Sequence, residues 1–457
     1  MRDELRSVNP ATEEMIERFA PEPADALERK LTGAESAAAR WSTTPLSERS
    51  ALLQRVAERL RADVAGHAAT ITEEMGKPVT EARAEVEKCA FACEYFATNA
   101  QRLLADEPAP SDSARSYIAF EPLGVLLACM PWNFPYWQVF RCAAPALAAG
   151  NCVVLKHANN TTRCGLHIEA VFREAGAEPG VFTMLAVPIA AVAELIADPR
   201  IAAVSLTGST AAGRSVGASA GHHLKKCVLE LGGSDAFIVL DDADVDAAAA
   251  IGARSRFQNA GQSCIAAKRF IVAKAVAEAF EERLVERARD IALGDPTDDH
   301  TQMGPLARDD LRAAVERQLN EAVQRGASLR TGGTRPPRAG FYLTPAVLSG
   351  CTPDMSVFQE ETFGPLAAMT TVSSDDEAVS VANHSAYGLG GNVWSRDVVR
   401  GVAVAARLRT GGVFVNGMTH SDPRIPFGGV RESGYGRELH RFGIQEFTDI
   451  KTMWLPS

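Results

Sequence analysis

From about Asp25 to Asn99 apolar residues recur at helical spacing, as in Leu52, Leu53, Val56 and Leu60, with Arg and Glu between them. This predicts an opening run of amphipathic helices. Pro108, Pro110, Ser111 and Ser113 break the pattern, and the alternation around Tyr117 to Glu121 predicts a short strand. From Leu123 the texture changes to short apolar runs bounded by Gly, Pro or Asn, at 123–130, 151–156, 181–185, 203–208 and 226–231. Helical stretches separate these runs, so the pattern predicts parallel βαβ units, a doubly wound sheet and a nucleotide-binding crevice. A second α/β series follows, with strands at 236–240 and 268–272 and charged helices over about 276–292 and 309–325. Further strands are expected near 343–348, 366–371 and 412–416, and the end from Tyr435 reads as a tail with strand character in DIKTMW. No internal repeat or low-complexity tract interrupts this series.

Composition narrows the class. With 457 residues, 46% hydrophobic and 23% charged, the chain is globular and long enough for two or three domains. Its 47 basic and 57 acidic side chains give a net charge of −10, and no Lys/Arg-rich run stands out, which excludes nucleic acid as a partner. The longest apolar stretches, such as Leu123 to Pro131, fall short of the ~20 residues of a membrane-spanning helix. The opening MRDELRSVNPATEEM is too charged for a signal peptide, so a cytoplasmic setting is expected. Nine cysteines, an odd number, point to reduced thiols. Cys89 and Cys93 lie four apart on a predicted helix without histidines or a second pair at zinc-finger spacing; they read as packed residues, and no metal site is expected.

Five segments carry candidate chemistry. Cys264, in FQNAGQSCIAAKRF, follows a small polar turn where exposure and backbone N–H groups favour a nucleophilic thiol. Glu230, in VLELGGSDAF, ends an apolar strand beside bare glycine backbone, a place where partial burial raises a carboxyl pKa and suits it to accept a proton. Asn133 lies between two prolines in MPWNFPYWQVFR, with an amide able to donate to an oxyanion. Gly208, Ser209 and Gly213 follow a strand and open a predicted helix whose N-terminus suits a pyrophosphate, although the spacing is neither G-x-G-x-x-G nor a P-loop. Glu360 and Glu361 precede Phe363 and a Gly-Pro turn. Each segment also has an ordinary structural explanation: a packed thiol, a capping acid, a turn asparagine, a helix cap and a solvated charge pair.

Together the motifs resemble the aldehyde dehydrogenase superfamily in order and separation: PWNFP at 131–135, LTGS at 206–209, LELGG at 229–233, GQSC at 261–264, EETFGP at 360–365 and PFGG at 426–429. The resemblance covers nearly the whole chain. It implies a Rossmann-like cofactor domain (1–103 and 121–230), an α/β catalytic domain (231–427) and a β-strand oligomerisation arm with the C-terminal tail (104–120 and 428–457). It implies that Cys264 attacks the aldehyde, that Asn133 and the Cys264 backbone N–H stabilise the oxyanion, and that Glu230 activates the water that hydrolyses the thioester. By the same analogy Trp132, Lys156, Gly208, Ser209 and Gly213 hold the adenosine and pyrophosphate end of the cofactor, and Glu361 and Phe363 lie at the nicotinamide ribose. The arm implies a homodimer or a dimer of dimers.

Asn159 stands where NAD-using relatives commonly carry Glu, and a neutral amide beside Lys156 tolerates a 2′-phosphate that a carboxylate would repel; NADP preference is expected, with NAD use possible. Arg141, eight residues after Asn133, matches the arginine that binds the distal carboxylate in succinate-semialdehyde dehydrogenases, and Ser421 is a further donor. The texture resembles the short bacterial members of that group. Departures are Gln258, where some of these enzymes have a second anion-binding arginine, and an additional basic residue, Arg424. Glutarate semialdehyde, aliphatic or phosphorylated aldehydes, and a non-catalytic protein on the same fold stay open as alternatives. Ala266 excludes a disulfide with Cys264 at that spacing.

Overall fold

The computed structural model describes residues 4–456. Four helices, Ala24–Trp41, Leu46–Ala62, Val64–Met75 and Val79–Leu103, occupy the opening region. Leu52, Leu53, Val56 and Leu60 are all buried where the second helix packs on the fourth, which accounts for their spacing. Cys89 and Cys93 are buried in the same core.

The apolar runs from Leu123 onward form a six-stranded sheet. Its order is Gly434–Tyr435, Lys226–Glu230, Ile201–Thr207, Val125–Met130, Cys152–His157 and Phe182–Met184. Every pairing is parallel except that of the Gly434–Tyr435 edge. Val125–Met130 and Cys152–His157 are buried on both faces, which is why they read as continuous apolar runs instead of alternating ones. The chain winds outward from Val125–Met130 in one direction and then returns to build the other side. The switch point therefore lies between Val125–Met130 and Ile201–Thr207, whose carboxyl ends lead into PWNFP and Gly208-Ser209.

A seven-stranded sheet follows: Ser328–Thr331, Ala346–Ser349, Leu366–Val372, Ala267–Ala273, Asp235–Val239, Gly391–Trp394 and Phe414–Val415, antiparallel only at its Ser328–Thr331 edge. Only residues 231–234 separate the end of Lys226–Glu230 from the start of Asp235–Val239. The carboxyl ends of the first sheet thus face the amino ends of the second, and Cys264, just before Ala267–Ala273, sits at that seam.

Ser328–Thr331 and Gly391–Trp394 carry little strand signal in the sequence: the first is a polar edge and the second a four-residue strand opened by Gly. Residues 428–457 are also less uniform than a tail. Gly434–Tyr435 joins the first sheet, the helix His440–Glu446 buries Ile444 in the first core, and Thr448–Leu455 pairs with Arg115–Pro122, which in turn pairs with Glu107–Pro108. On that outer strand Ile450 is 69% and Trp454 58% exposed. Among the described residues no helix is long and apolar enough to cross a membrane.

Gly434 has φ 107°, and a Cβ there would lie 1.9 Å from the Leu229 carbonyl oxygen. Gly434→Ala is expected to break this edge pairing and to cost upward of about 2 kcal/mol of stability. Calorimetry checks it; an unchanged melting temperature would mean that the edge strand contributes little.

Candidate active site

The turn before Cys264 is built from left-handed backbone. Helix Val245–Phe257 ends, and Asn259, Ala260 and Gly261 follow with φ of 51°, 52° and 73°. Asparagine and glycine accept this region readily, whereas alanine does so at a cost of about 1–2 kcal/mol. Side chains hold the turn in place. Asn259 Nδ2 donates to the Asn133 carbonyl at 2.8 Å and to the Gln262 carbonyl at 3.2 Å. Asn133 Nδ2 donates to the same Gln262 carbonyl at 3.1 Å. Gln262 Nε2 returns to the Asn259 carbonyl, and Gln262 Oε1 accepts from the Ala307 N–H. Arg256, fully buried, donates to the Gly261 carbonyl at 2.6 Å, and Lys268 Nζ donates to the Cys264 carbonyl at 2.6 Å.

The opposing Asn133 segment is fixed as firmly. Glu85 Oε1 accepts the N–H groups of Tyr136 and Trp137, both at 2.9 Å, and so satisfies the start of the helix Trp137–Ala149. Lys77 pairs with the same carboxylate in the interior and lies 3.7 Å from the Phe134 ring centroid. The Pro135 carbonyl oxygen lies 2.8 Å from His157 Nε2.

Cys264 lies on the floor of the crevice, partly exposed. Dense surroundings push its thiol up to about 12, against the smaller lowering influence of Arg141 and Lys268. A resting thiol of this kind needs its proton removed as it attacks. Glu230 is buried, and neither carboxylate oxygen has a hydrogen-bond partner among the described residues. Burial raises its pKa to about 8; Arg141 opposes the rise and Glu438 adds to it. Glu230 is therefore a base whose charge changes close to neutral pH.

Two cavities flank the Asn133 segment. The first, of about 680 Å³, begins in an apolar slot formed by Ile189, Val192, Ile196 and Val216. It then passes Lys156 and Ser209 and reaches Trp132, Phe363, Glu361, Asn133 and Cys264. Ser209 caps the helix Thr210–His222 by accepting from the Ala212 N–H, so a helix N-terminus opens on the crevice. Glu361 is the only acid among the described lining residues; its Oε1 accepts from the Gly233 N–H at 2.9 Å and from Lys268 Nζ at 3.3 Å. The second cavity, of about 600 Å³, lies on the other side of the Asn133 segment and is lined by Lys88, Phe134, Trp137, Arg254, Phe257 and Gln258, among others.

The structure brings Cys264, Asn133, Trp132, Lys156, Gly208, Ser209, Glu361 and Phe363 to the first cavity, with Glu230 buried beside it. It places other expected residues differently. Gly213 does not line the crevice; a Cβ there would lie 2.4 Å from Leu231, so its bareness serves helix–sheet packing. Asn159 stands behind the crevice, where its Oδ1 accepts from Lys156 Nζ at 2.7 Å and orients that cation. Arg141 lines neither cavity. It is 1% exposed, pairs with Glu438, donates to Thr207 Oγ1 at 3.2 Å and lies 4.6 Å from the Phe427 ring centroid. The bidentate fork expected for a substrate carboxylate is thus turned inward. Ser421 is buried and accepts from Lys88 Nζ at 3.0 Å and from Trp137 Nε1 at 2.9 Å. Arg424 is exposed and paired with Asp422, and Glu360 is an exposed partner of Arg317.

Sequence reasoning overlooked Lys268, Arg256, Gln262, Glu438 and Lys88. Lys268 and Gln262 stand within four residues of Cys264, and that proximity was the one available signal. Glu438 lies 297 positions from Arg141 along the chain, and nothing local announces the pair.

The fold and this site define a class. The Aldehyde dehydrogenase family model matches residues 1–453, and the chain belongs to that family. It is 45% identical to the Escherichia coli (strain K12) protein named succinate semialdehyde dehydrogenase (NAD(P)+) Sad, over 98% of this chain and 97% of that one. It is equally 45% identical to succinate-semialdehyde dehydrogenase (NADP(+)) 1 of Mycobacterium bovis, over 99% of each. The crystal structure of succinic semialdehyde dehydrogenase from Streptococcus pyogenes in complex with NADP+ superposes with a TM-score of 0.97 at 40% identity, covering 99% of this chain and 100% of the other.

At Gly261, with φ 73°, a Cβ would lie 2.3 Å from the Gly364 carbonyl oxygen. Gly261→Ala is expected to displace Cys264 and lower kcat/KM on the order of 100-fold. Steady-state aldehyde oxidation measures this; full activity would show that the turn does not position the thiol.

Proposed function

We propose that the chain oxidises succinate semialdehyde to succinate with NADP+, in the cytoplasm, where its nine free cysteines stay reduced. The observation that carries this reading is the 45% identity to succinate-semialdehyde dehydrogenases along essentially the whole chain. The cavities support it. The apolar slot suits an adenine, the Ser209 helix end suits a diphosphate, and the Lys156 ammonium, oriented by the neutral Asn159 amide, suits a 2′-phosphate. When bound, NADP+ supplies the hydride acceptor.

The aldehyde enters from the second cavity, opposite the cofactor. The Cys264 thiol gives up its proton to solvent in the crevice as Sγ adds to the carbonyl carbon, and the Cys264 backbone N–H and the free Asn133 amide hydrogen donate to the oxyanion. Loss of hydride leaves a thioester on Cys264. Glu230 then removes a proton from the water that attacks this thioester, and its unpaired, desolvated oxygens equip it for that step. Arg141 contributes a buried positive charge to the inner end of the site and is itself fixed by Glu438. The exposed outer face of Thr448–Leu455, with Ile450 and Trp454, is the surface through which we infer a homodimer or a dimer of dimers.

Because Glu230 is a base only when ionised, kcat should rise with pH along a limb centred near pH 8. Glu230→Gln should lower kcat on the order of 100-fold or more and abolish that limb, while a first turnover of NADPH still forms in stopped flow. A variant with normal turnover would remove Glu230 from the deacylation step. Across an aldehyde panel, kcat/KM should be about tenfold or more higher for succinate semialdehyde than for butanal, and higher with NADP+ than with NAD+. A preference for butanal or for NAD+ would overturn the corresponding half of the proposal.

A further inference from the structure

The second cavity holds a cation that the chain leaves without a counter-ion. Lys88, on helix Val79–Leu103, lines it together with Trp137, Phe134 and Gln258. Among the described residues no carboxylate lies within ion-pairing distance of its ammonium. The nearby Glu85 is engaged by Lys77 and by two backbone N–H groups, and Asp422 is engaged by Arg424. The Lys88 ammonium lies 4.1 Å from the Trp137 ring centroid and donates to Ser421 Oγ, which also accepts from Trp137 Nε1. With its oxygen receiving two donors, Ser421 retains its own O–H to give. The ammonium therefore lines the cavity with the Ser421 hydroxyl bonded behind it, and although Glu81, Glu85, Asp290 and Asp299 also line the cavity, none of them is ion-paired with Lys88; the ammonium itself favours an anion over a neutral group. Burial first, and the Arg141 charge second, bring the Lys88 pKa down to about 8, as befits a cation with no anion beside it.

We infer that Lys88, with the Ser421 hydroxyl, receives the distal carboxylate of the substrate and sets the preference for carboxylate-bearing aldehydes. This rests on the succinate-semialdehyde reading above and extends it: the direct contact passes from the inward-turned Arg141 to Lys88. Trp137 orients the ammonium from its ring face and Ser421 from its N–H bond, so both ends of the cradle are anchored on the helix that also carries the Asn133 turn.

Steady-state kinetics of wild type, Lys88→Arg and Lys88→Met with succinate semialdehyde and with butanal test it. The ratio of kcat/KM for the two aldehydes should fall at least about 30-fold in Lys88→Met and be largely retained in Lys88→Arg. Succinate, used as an inhibitor of butanal oxidation, should bind the methionine variant more weakly by a similar factor. Lys88→Gln replaces the methionine variant if its melting temperature shows a lost fold. An unchanged ratio and an unchanged succinate inhibition constant would overturn the assignment even if the wild type prefers succinate semialdehyde. A wild type without that preference would instead sink the substrate reading, while loss of succinate inhibition in Lys88→Met would still identify Lys88 as a carboxylate receptor.

Discussion

The Gln262 carbonyl oxygen, reached at once by the side chains of Asn133 and Asn259, is the contact on which the site depends. It ties the catalytic turn of the second sheet to the segment leaving the first. Without it, three consecutive left-handed residues would have little reason to persist, because an isolated chain places alanine there only at a cost. Arg256 and Lys268 reinforce the turn from beneath by binding the carbonyls of Gly261 and Cys264. The thiol is thus aimed by backbone groups locked into neighbours, which leaves its side chain free for the reaction.

Desolvation then sets the chemistry. Glu230 and Cys264 are both shifted toward their neutral forms by burial, so each becomes reactive only as a proton moves. Several buried charges at the seam come with opposite partners, Lys77 with Glu85, Arg141 with Glu438 and Lys268 with Glu361, whereas Arg256 is held by the Gly261 and Thr362 carbonyls. Unpaired buried charge is costly, and Glu230 stands out from these groups because neither of its oxygens has a hydrogen-bond partner among the described residues. The two cavities that flank the Asn133 segment are lined by separate sets of side chains, which is what the proposed approach of cofactor and aldehyde from different sides requires.

Much of the fold was legible because parallel strands covered on both faces must be continuously apolar, and VLLACM and CVVLKH announce themselves. Ser328–Thr331 and Gly391–Trp394 were illegible because an exposed edge and a four-residue strand need no such run. Among the candidate site residues, Cys264, Asn133, Ser209 and Glu361 stood in recognisable motifs, and the fold brings all four to the first cavity. Gly213 was misjudged since the same absence of a side chain serves close packing on Leu231 as well as phosphate approach, and only the neighbour distinguishes them.

The sequence by itself determined the apolar strands of both sheets and the likeness to a family, because these reside in periodicity and in short contiguous motifs. Only the tertiary structure decided which way each charge faces. Arg141 turned toward Glu438 and Lys88 turned into the cavity beside Ser421, through contacts between residues hundreds of positions apart. A side chain's partner is a matter of three-dimensional proximity and of what else is buried there, and neither quantity is written in any one stretch of the chain.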